Sequence, residues 1–367
     1  MASDVSPIER LEEHPVPVDP GAIEAEFTRI WQETAGGDES TIRLRVLNFV
    51  AIGLVGDAQA RFESVMAALP ERHPCRGILV LPAPDAGPVS ASIAAHCWRT
   101  AGGGRHVCSE EVSLRGGTDQ QRALASAVLA LLVPEIPVAV WLIGPPDADT
   151  SFVRDIFDAA DRVFLDSALS GSAEQAFGYA LEAAGRHDIV VCDIAWCRLT
   201  TWRSLVAQFF DRDDGLRELA RLRSIEVLSG GRSLSSESLL LAGWLISRLG
   251  LSAADVAFAP DRLHATLYDG VNPVTLALTC GPEGDAPIQR VRLVTAGAAF
   301  LIDLHSESGH LHVRAEWPDA PVHRTVERPP LDDAAVLTDA LDSDQDSAVF
   351  DAAMKAALGL LGGAVSP

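Results

Sequence analysis

Residues 193–211 read DIAWCRLTTWRSLVAQFFD, and within eight of these positions stand Trp196, Arg198, Trp202 and Arg203. The spacing places Trp196 and Arg198 in a loop and Trp202 and Arg203 at the start of a helix capped by Thr200 or Thr201. Cations beside a helix N-terminus oppose the macrodipole by a few tenths to about 1 kcal/mol each, so Arg198 and Arg203 call for an anion. Three sources are open: a local carboxylate such as Asp193, an acidic side chain of a protein partner, or a phosphorylated small molecule held at the helix terminus. Trp202, Leu205, Val206, Phe209 and Phe210 recur at i, i+3, i+4, i+7 and i+8, one apolar stripe, so Trp202 reads as packing. Asp211 follows the stripe and is placed to cap the next helix, RDDGLRELARL.

Two further clusters could do chemistry. Cys97 and Cys108 flank a Gly102–Gly104 turn between two alternating segments, a hairpin pattern. With an even-numbered loop the two cysteines face each other, Cα atoms roughly 4.5–5.5 Å apart and inside disulfide range. A three-residue loop sets them on opposite faces. In AFLIDLHSESGHLHVRAEW, pairing Leu304 with Leu311 gathers Asp303, His305, His310 and His312 on one face of a second hairpin. These are metal-ligand types, but they are equally what the solvent face of an amphipathic hairpin carries, and no metal site is assigned.

The remaining side chains exclude more than they suggest. Of 29 basic residues only Lys355 is lysine, so no P-loop can form, and Lys355 lies in a C-terminal stretch unsuited to a Schiff base. There is no H-E-x-x-H, no G-x-S-x-G, no G-x-G-x-x-G after a strand and no kinase set. Carboxylates are plentiful, but spacing marks no pair as catalytic. No enzyme and no cofactor is called for.

The elements that must position these residues alternate. Helix spacing over 21–34 is followed by the apolar run TIRLRVLNFVAIG, a helix near 58–69, and buried strands RGILVLP and IPVAVWLIG around the cysteine hairpin and a helix at 119–133. Helix 150–159, strand RVFLDS, helix 173–184 and strand DIVVC continue the alternation, an α/β layered sheet. It resembles a doubly wound domain, but IGPPDADT after strand 136–144 has prolines where a glycine-rich phosphate turn would stand. Beyond 225, the apolar helix SSESLLLAGWLISRLGL, capped by Ser235 or Ser236, leads into seven short alternating segments between 254 and 328, an antiparallel sheet. The organisation is a loose tail at 1–20, an α/β domain at 21–225, a linking helix with a smaller mainly antiparallel β domain at 226–330, and an acidic C-terminal tail at 331–367 with helices at 331–341 and 346–359.

Composition bounds the class. An apolar share of 48% and a charged share of 22% over 367 residues indicate a folded chain with a sizeable core. A net charge of −22 repels phosphate backbones and anionic lipid, so nucleic acid is not an expected partner. No apolar run of about 18 residues suits a membrane span. The first residues lack the basic-then-apolar pattern of a signal peptide, so a cytoplasmic protein is expected, with its six cysteines mostly small buried groups.

The opening stretch resembles the signature of glucose-6-phosphate dehydrogenase assembly proteins of cyanobacteria and actinobacteria, the OpcA family. That signature runs aspartate, Trp-x-Arg, threonine, Trp-Arg and a closing Phe-Asp, here Asp193, Trp196, Arg198, Thr200, Trp202, Arg203, Phe210 and Asp211. ERHPCRGILVLP, IPVAVWLIGPP before FDAADRVFLDSA, and LAGWLISRLG support it, from about residue 40 to 320. Cys197 and Thr201 depart from the threonine and proline of many members, and residues 330–367 match nothing in the pattern. The resemblance implies a non-catalytic protein that binds glucose-6-phosphate dehydrogenase, promotes its active oligomer and raises its activity. It makes Trp196, Arg198, Trp202 and Arg203 candidates for partner binding. It also implies redox control through cysteines in photosynthetic relatives, with Cys97 and Cys108 the candidates here. The alternative reading is a sugar-phosphate-binding enzyme or sensor using Arg198 and Arg203.

Overall fold

The computed structural model describes residues 9–10, 16–35, 41–84, 87–99, 106–146, 150–187, 189–270, 272–281, 286–305, 307–317, 321–343 and 347–362. The chain divides into two units: Met1–Leu169, Glu182–Cys192 and Asp332–Asp344 form unit 1, and Ser170–Leu181, Asp193–Leu331 and Gln345–Pro367 form unit 2. The chain passes between the units at 169/170, 181/182 and, for the last time before 331, at Cys192/Asp193. Asp332–Asp344 belongs to the first unit and the last helix to the second.

The elements up to this boundary are β1 (Glu9–Arg10), β2 (Val16–Val18), α1 (Ile23–Ala35), β3 (Thr41–Arg43), β4 (Leu47–Gly53), α2 (Ala58–Met66), α3 (Leu69–Arg72), β5 (Cys75–Pro82), β6 (Ser90–Arg99), β7 (His106–Gly116), α4 (Gln121–Leu131), β8 (Val138–Ile143), α5 (Ser151–Phe157), β9 (Arg162–Leu165), α6 (Ala173–His187) and β10 (Val190–Asp193). The sheet of unit 1 is ordered β1-β6-β7-β5-β4-β8-β9-β10, with β2 on β6 and β3 on β7. Strands β7, β5, β4, β8 and β9 run parallel. Counting β4, β5, β7, β8, β9 and β10 as one to six gives the order 3-2-1-4-5-6 of a dinucleotide-binding sheet. Every residue of β4 is buried, as a central parallel strand demands. Its one polar side chain, Asn48, accepts from the Val133 amide at 2.8 Å and donates to the Val133 carbonyl at 2.9 Å, so nothing polar is stranded there.

Two polar devices tie unit 1 together. Arg76 on β5 sits directly across from Glu110 on β7, and its Nε donates to Glu110 at 2.7 Å in a site where the two side chains are 2% and 0% exposed. Its Nη1 donates to the Leu131 carbonyl at 2.8 Å and to Glu24 of α1, and its guanidinium lies 5.6 Å from the Phe27 ring. Burial alone pulls the Arg76 guanidinium down, but the hydrogen bonds and charges of Glu24 and Glu110 outweigh it and the net shift is upward. The second device is α11 (Asp333–Asp342). Asp333 pairs with Arg61 at 2.7 Å, Asp339 with Arg72 at 3.0 Å, and Asp342 with Arg72 and with His73. The aspartates of this stretch are thus a matched surface for α2 and α3.

Unit 2 holds α7 (Ile194–Arg198), α8 (Thr200–Gln208), α9 (Asp213–Leu219), β11 (Leu222–Ser229), α10 (Ser236–Leu249), β12 (Ser252–Ala259), β13 (Arg262–Tyr268), β14 (Pro273–Cys280), β15 (Arg290–Thr295), β16 (Ala299–Leu304), β17 (Leu311–Glu316), β18 (Val322–Val326) and α12 (Ser347–Gly362). All seven short segments read from the sequence are strands. The sequence reading missed β11, which lies between β14 and β15, parallel to the first and antiparallel to the second. Two apolar rows cross the sheet in register: Ala265, Leu276, Ile225, Leu293, Phe300, Ala315 and then Val322; and Leu263, Leu278, Val227, Val291, Ile302, Val313 and then Arg324. Helix α10 is capped by Ser235, which accepts from the Ser238 amide at 3.1 Å. It ends on Gly250 at φ 62°, the left-handed stop glycine favours. Helices α10 and α12 pack together, and at Gly243 their backbones approach so closely that a Cβ would lie 2.1 Å from the Ala353 carbonyl oxygen.

Candidate functional site

The 193–211 stretch folds as two short helices in series, α7 and α8, joined at Leu199. Trp196 and Arg198 are therefore helical and not in a loop. The cap is also different from the expected one. Asp193 accepts from the Ala195 amide at 2.9 Å and starts α7, whereas α8 follows on a helical Leu199 with no side-chain cap. Thr200 donates backward to the Cys197 carbonyl at 2.7 Å, a bond open to it because α7 already supplies the preceding turn. Asp211 does not cap α9; that position is Arg212, with no side-chain cap bond.

The two tryptophans are core. Trp196 is 2% exposed and Trp202 4%. The Trp196 ring lies 5.5 Å from Phe350 of α12 and also carries the Arg203 guanidinium at 3.6 Å. Trp196 serves as the platform on which Arg203 stacks, a cation–π contact strengthened by desolvation. The two arginines part company. Arg198 lies 3.6 Å from Glu237 of α10, both largely buried, so its anion comes from a helix far along the chain. Arg203 donates to Thr200 Oγ1 at 3.2 Å, and its Nε has no hydrogen-bond partner among the described residues. Burial pulls the Arg203 guanidinium down to about 10, which still leaves it charged near neutrality; the neighbouring Cys197 works the other way. A cation held flat against an indole, desolvated and without a carboxylate among the described residues, is suited to receive an anion from outside.

The turn after β4 tests the sheet's dinucleotide-type order. It runs Gly53, Leu54, Val55, Gly56, Asp57 before α2 opens at Ala58. The phosphate position thus follows β4, not β8 as the sequence reading took it. A Cβ on Gly53 would lie 2.6 Å from Ala58 Cβ, so this glycine and Ala58 match the tight turn and the close helix packing. The glycine needed for close approach of a pyrophosphate is replaced by Val55, and the exposed Asp57 puts a carboxylate where the anion would sit. The residues present do not fit a dinucleotide.

The cysteine hairpin has the even-numbered register: Cys97 pairs directly with Cys108, and Cys108 is disulfide-bonded. Cys75, Cys192, Cys197 and Cys280 are not in disulfides. Cys75 is fully buried and desolvation pushes it up to about 12, so it should resist alkylation in the folded state. In the histidine hairpin, Leu304 pairs with Leu311 as read. Asp303 is engaged by Arg290 and, at 3.0 Å, by Arg314, and His305 stacks on His312 with ring centroids 5.1 Å apart. No group of three or more His, Cys, Asp or Glu among the described residues is arranged to hold a metal ion. No helix among them is long and apolar enough to cross a membrane.

Comparison with known proteins gives the context. Residues 66–181 match the glucose-6-phosphate dehydrogenase subunit N-terminal domain and residues 189–354 match its C-terminal domain. The chain belongs to the OpcA family of glucose-6-phosphate dehydrogenase assembly proteins. Among curated members, the OxPP cycle protein OpcA of Synechocystis is 26% identical over 222 residues, covering 58% of this chain and 46% of that protein. The one from Synechococcus elongatus is 29% identical over 184 residues, 49% and 40% of the two chains. This chain thus spans under half the length of the curated OpcA relatives it matches. Among solved structures, the open conformation of a 3-ketoreductase from Actinomadura kijaniata, in complex with TDP-benzene and NADP, superposes with a TM-score of 0.52 at 13% identity over 87% of this chain and 97% of that one. At that identity the likeness is one of fold alone.

Proposed function

We propose that this OpcA-family chain is a non-catalytic, cytoplasmic assembly factor that binds glucose-6-phosphate dehydrogenase, promotes its active oligomer and raises its activity in the oxidative pentose phosphate pathway. Family membership across both units carries the reading. Val55 and Asp57 in the turn after β4 support a scaffold role over a redox one. The test is to titrate the same organism's dehydrogenase with this chain while following activity and co-elution on size exclusion. A saturable rise in activity with co-elution is expected; neither change would remove the reading.

Within it, Arg203 is the residue of the signature best placed to meet a partner's carboxylate, with Arg198 and the buried Trp196 and Trp202 holding its platform. Arg203→Ala is expected to weaken dehydrogenase binding about tenfold, about 1.4 kcal/mol, with thermal stability within a few degrees of the parent. Unaltered affinity would relieve Arg203 of that role. The unmatched guanidinium also keeps a second reading in play, a sugar-phosphate sensor. In that case glucose 6-phosphate stabilises the chain alone in a concentration-dependent thermal shift, and Arg203→Ala abolishes the shift.

Redox control is proposed at the Cys97–Cys108 hairpin. Alkylation in denaturant without reductant is expected to label Cys75, Cys192, Cys197 and Cys280 only, and all six cysteines after reduction. Equal labelling of Cys97 and Cys108 in both samples would reject the switch.

A further inference from the structure

The first apolar row of the unit 2 sheet runs on to an exposed valine on the last strand, and the second ends there on an arginine. Helix α8 packs on β16, and Phe209 and Phe210 at its end meet the Phe300 ring at 5.1 and 5.0 Å, the first tilted and the second edge-on. One strand further on, Trp317 meets Phe300 edge-on at 5.4 Å and is only half-buried. On β18, Val322 continues the first row but is 56% exposed, and Arg324 continues the second, also exposed. Beside α8 this leaves an open cavity of about 530 Å³, lined by the apolar Phe300, Val313 and Ala315 and by the polar Gln208, Arg212, Asp214 and Arg324. Strand β18 is the last of the sheet, exposed over nearly its whole length.

We infer that this groove is a docking site for an acidic amphipathic segment of the partner protein, which completes the layer over β17 and β18. The inference rests on the assembly reading above and names the surface that reading leaves open. Aromatic side chains and arginines around an apolar floor are the composition of an interface hot spot. The rim decides the sign of the partner. The Arg212 side chain is 85% exposed with Asp214 as the nearby acid at 3.5 Å, and Arg324 donates to the neutral Gln208 amide oxygen at 2.6 Å. On a chain of net charge −22, a rim with two arginines against one carboxylate, Asp214, is locally positive, and around an apolar floor it fits a segment that brings an apolar side chain flanked by carboxylates. The acidic helix of this chain is not such a segment, because Asp333, Asp339 and Asp342 are already paired with Arg61, Arg72 and His73.

The test uses the full chain and the same organism's dehydrogenase as probe. Val322→Asp and the double charge reversal Arg212→Glu/Arg324→Glu change exposed side chains only, and circular dichroism checks that each folds. Each is expected to weaken binding at least tenfold, and the double reversal to flatten its salt dependence. As a second readout, a benzophenone side chain at position 322 is expected to crosslink to the dehydrogenase, while the same probe at Leu129, exposed on unit 1, is not. If the parent chain does not bind the dehydrogenase, the assembly reading fails first. If the parent binds but the variants bind equally and position 322 gives no crosslink, the groove is wrong and the assembly reading stands. If position 322 crosslinks to a second copy of this chain instead, the groove is a self-association surface and the proposal is overturned.

Discussion

Arg76→Ala is expected to destabilise unit 1 by about 3–5 kcal/mol, the range for removing one member of a buried ion pair. The side chain deleted is 2% exposed, and the Glu110 left behind is 0% exposed. The loss has three parts: an uncompensated carboxylate between β5 and β7, an orphaned Leu131 carbonyl at the end of α4, and a broken tie to Glu24 of α1. Arg45, whose Nη1 lies 3.4 Å from Glu110, can recover part of it. Removing both charges distinguishes this from a packing defect. Arg76→Met with Glu110→Gln should be more stable than Arg76→Ala alone, because no buried charge then lacks a counter-charge. Urea denaturation followed by circular dichroism checks it. A cost under about 1 kcal/mol for Arg76→Ala would mean that Glu110 is solvated or neutral and that the network does not hold the sheet.

Gly243→Ala is the second large effect. In most helices this change is stabilising, since alanine is the better helix former by about 1 kcal/mol. Here the added methyl would sit 2.1 Å from the Ala353 carbonyl oxygen and 2.9 Å from the Ala357 amide nitrogen. Both are backbone atoms and cannot rotate away. The helices α10 and α12 must separate, and the expected net cost is about 3 kcal/mol, at the upper end for overpacking a core. Since α12 also brings Phe350 to Trp196, the same variant should loosen the platform under Arg203 and weaken dehydrogenase binding in parallel. A variant as stable as the parent would show that α12 does not cross α10 at this glycine. Gly359 of α12, whose Cβ would meet open space, supplies the control: Gly359→Ala should be neutral or stabilising.

Much of this was legible in the residues, for reasons that differ from element to element. The strand period of the cysteine hairpin left two registers open, according to whether its loop was even- or odd-numbered, and the fold takes the one that pairs Cys97 with Cys108. The seven strands of unit 2 stood out by alternation between turn residues. Strand β11 did not, since LRSIEVLS continues a helical charged run with no glycine or proline directly before it, and only its place between β14 and β15 makes it a strand. In the site, the periodicity that marked Trp202 as core was sound. Trp196 was harder, because its burial depends on Phe350, more than 150 positions away in the chain. The counter-charge of Arg198 is likewise Glu237 on α10, which no local spacing could point to. The aspartates of 332–342 gave no sign in the sequence of their partners, and they are the match for Arg61 and Arg72. The groove beside Phe209 was invisible because it is formed by where a helix stops covering a sheet.

The most direct measurement of the central claim is the mass distribution of the same organism's glucose-6-phosphate dehydrogenase by light scattering on size exclusion, with and without this chain, on samples assayed for activity. The account predicts a shift of the dehydrogenase to a larger oligomer that co-elutes with this chain and carries the higher specific activity, and a smaller shift with Arg203→Ala. A dehydrogenase whose mass and activity are the same with and without the chain would contradict it.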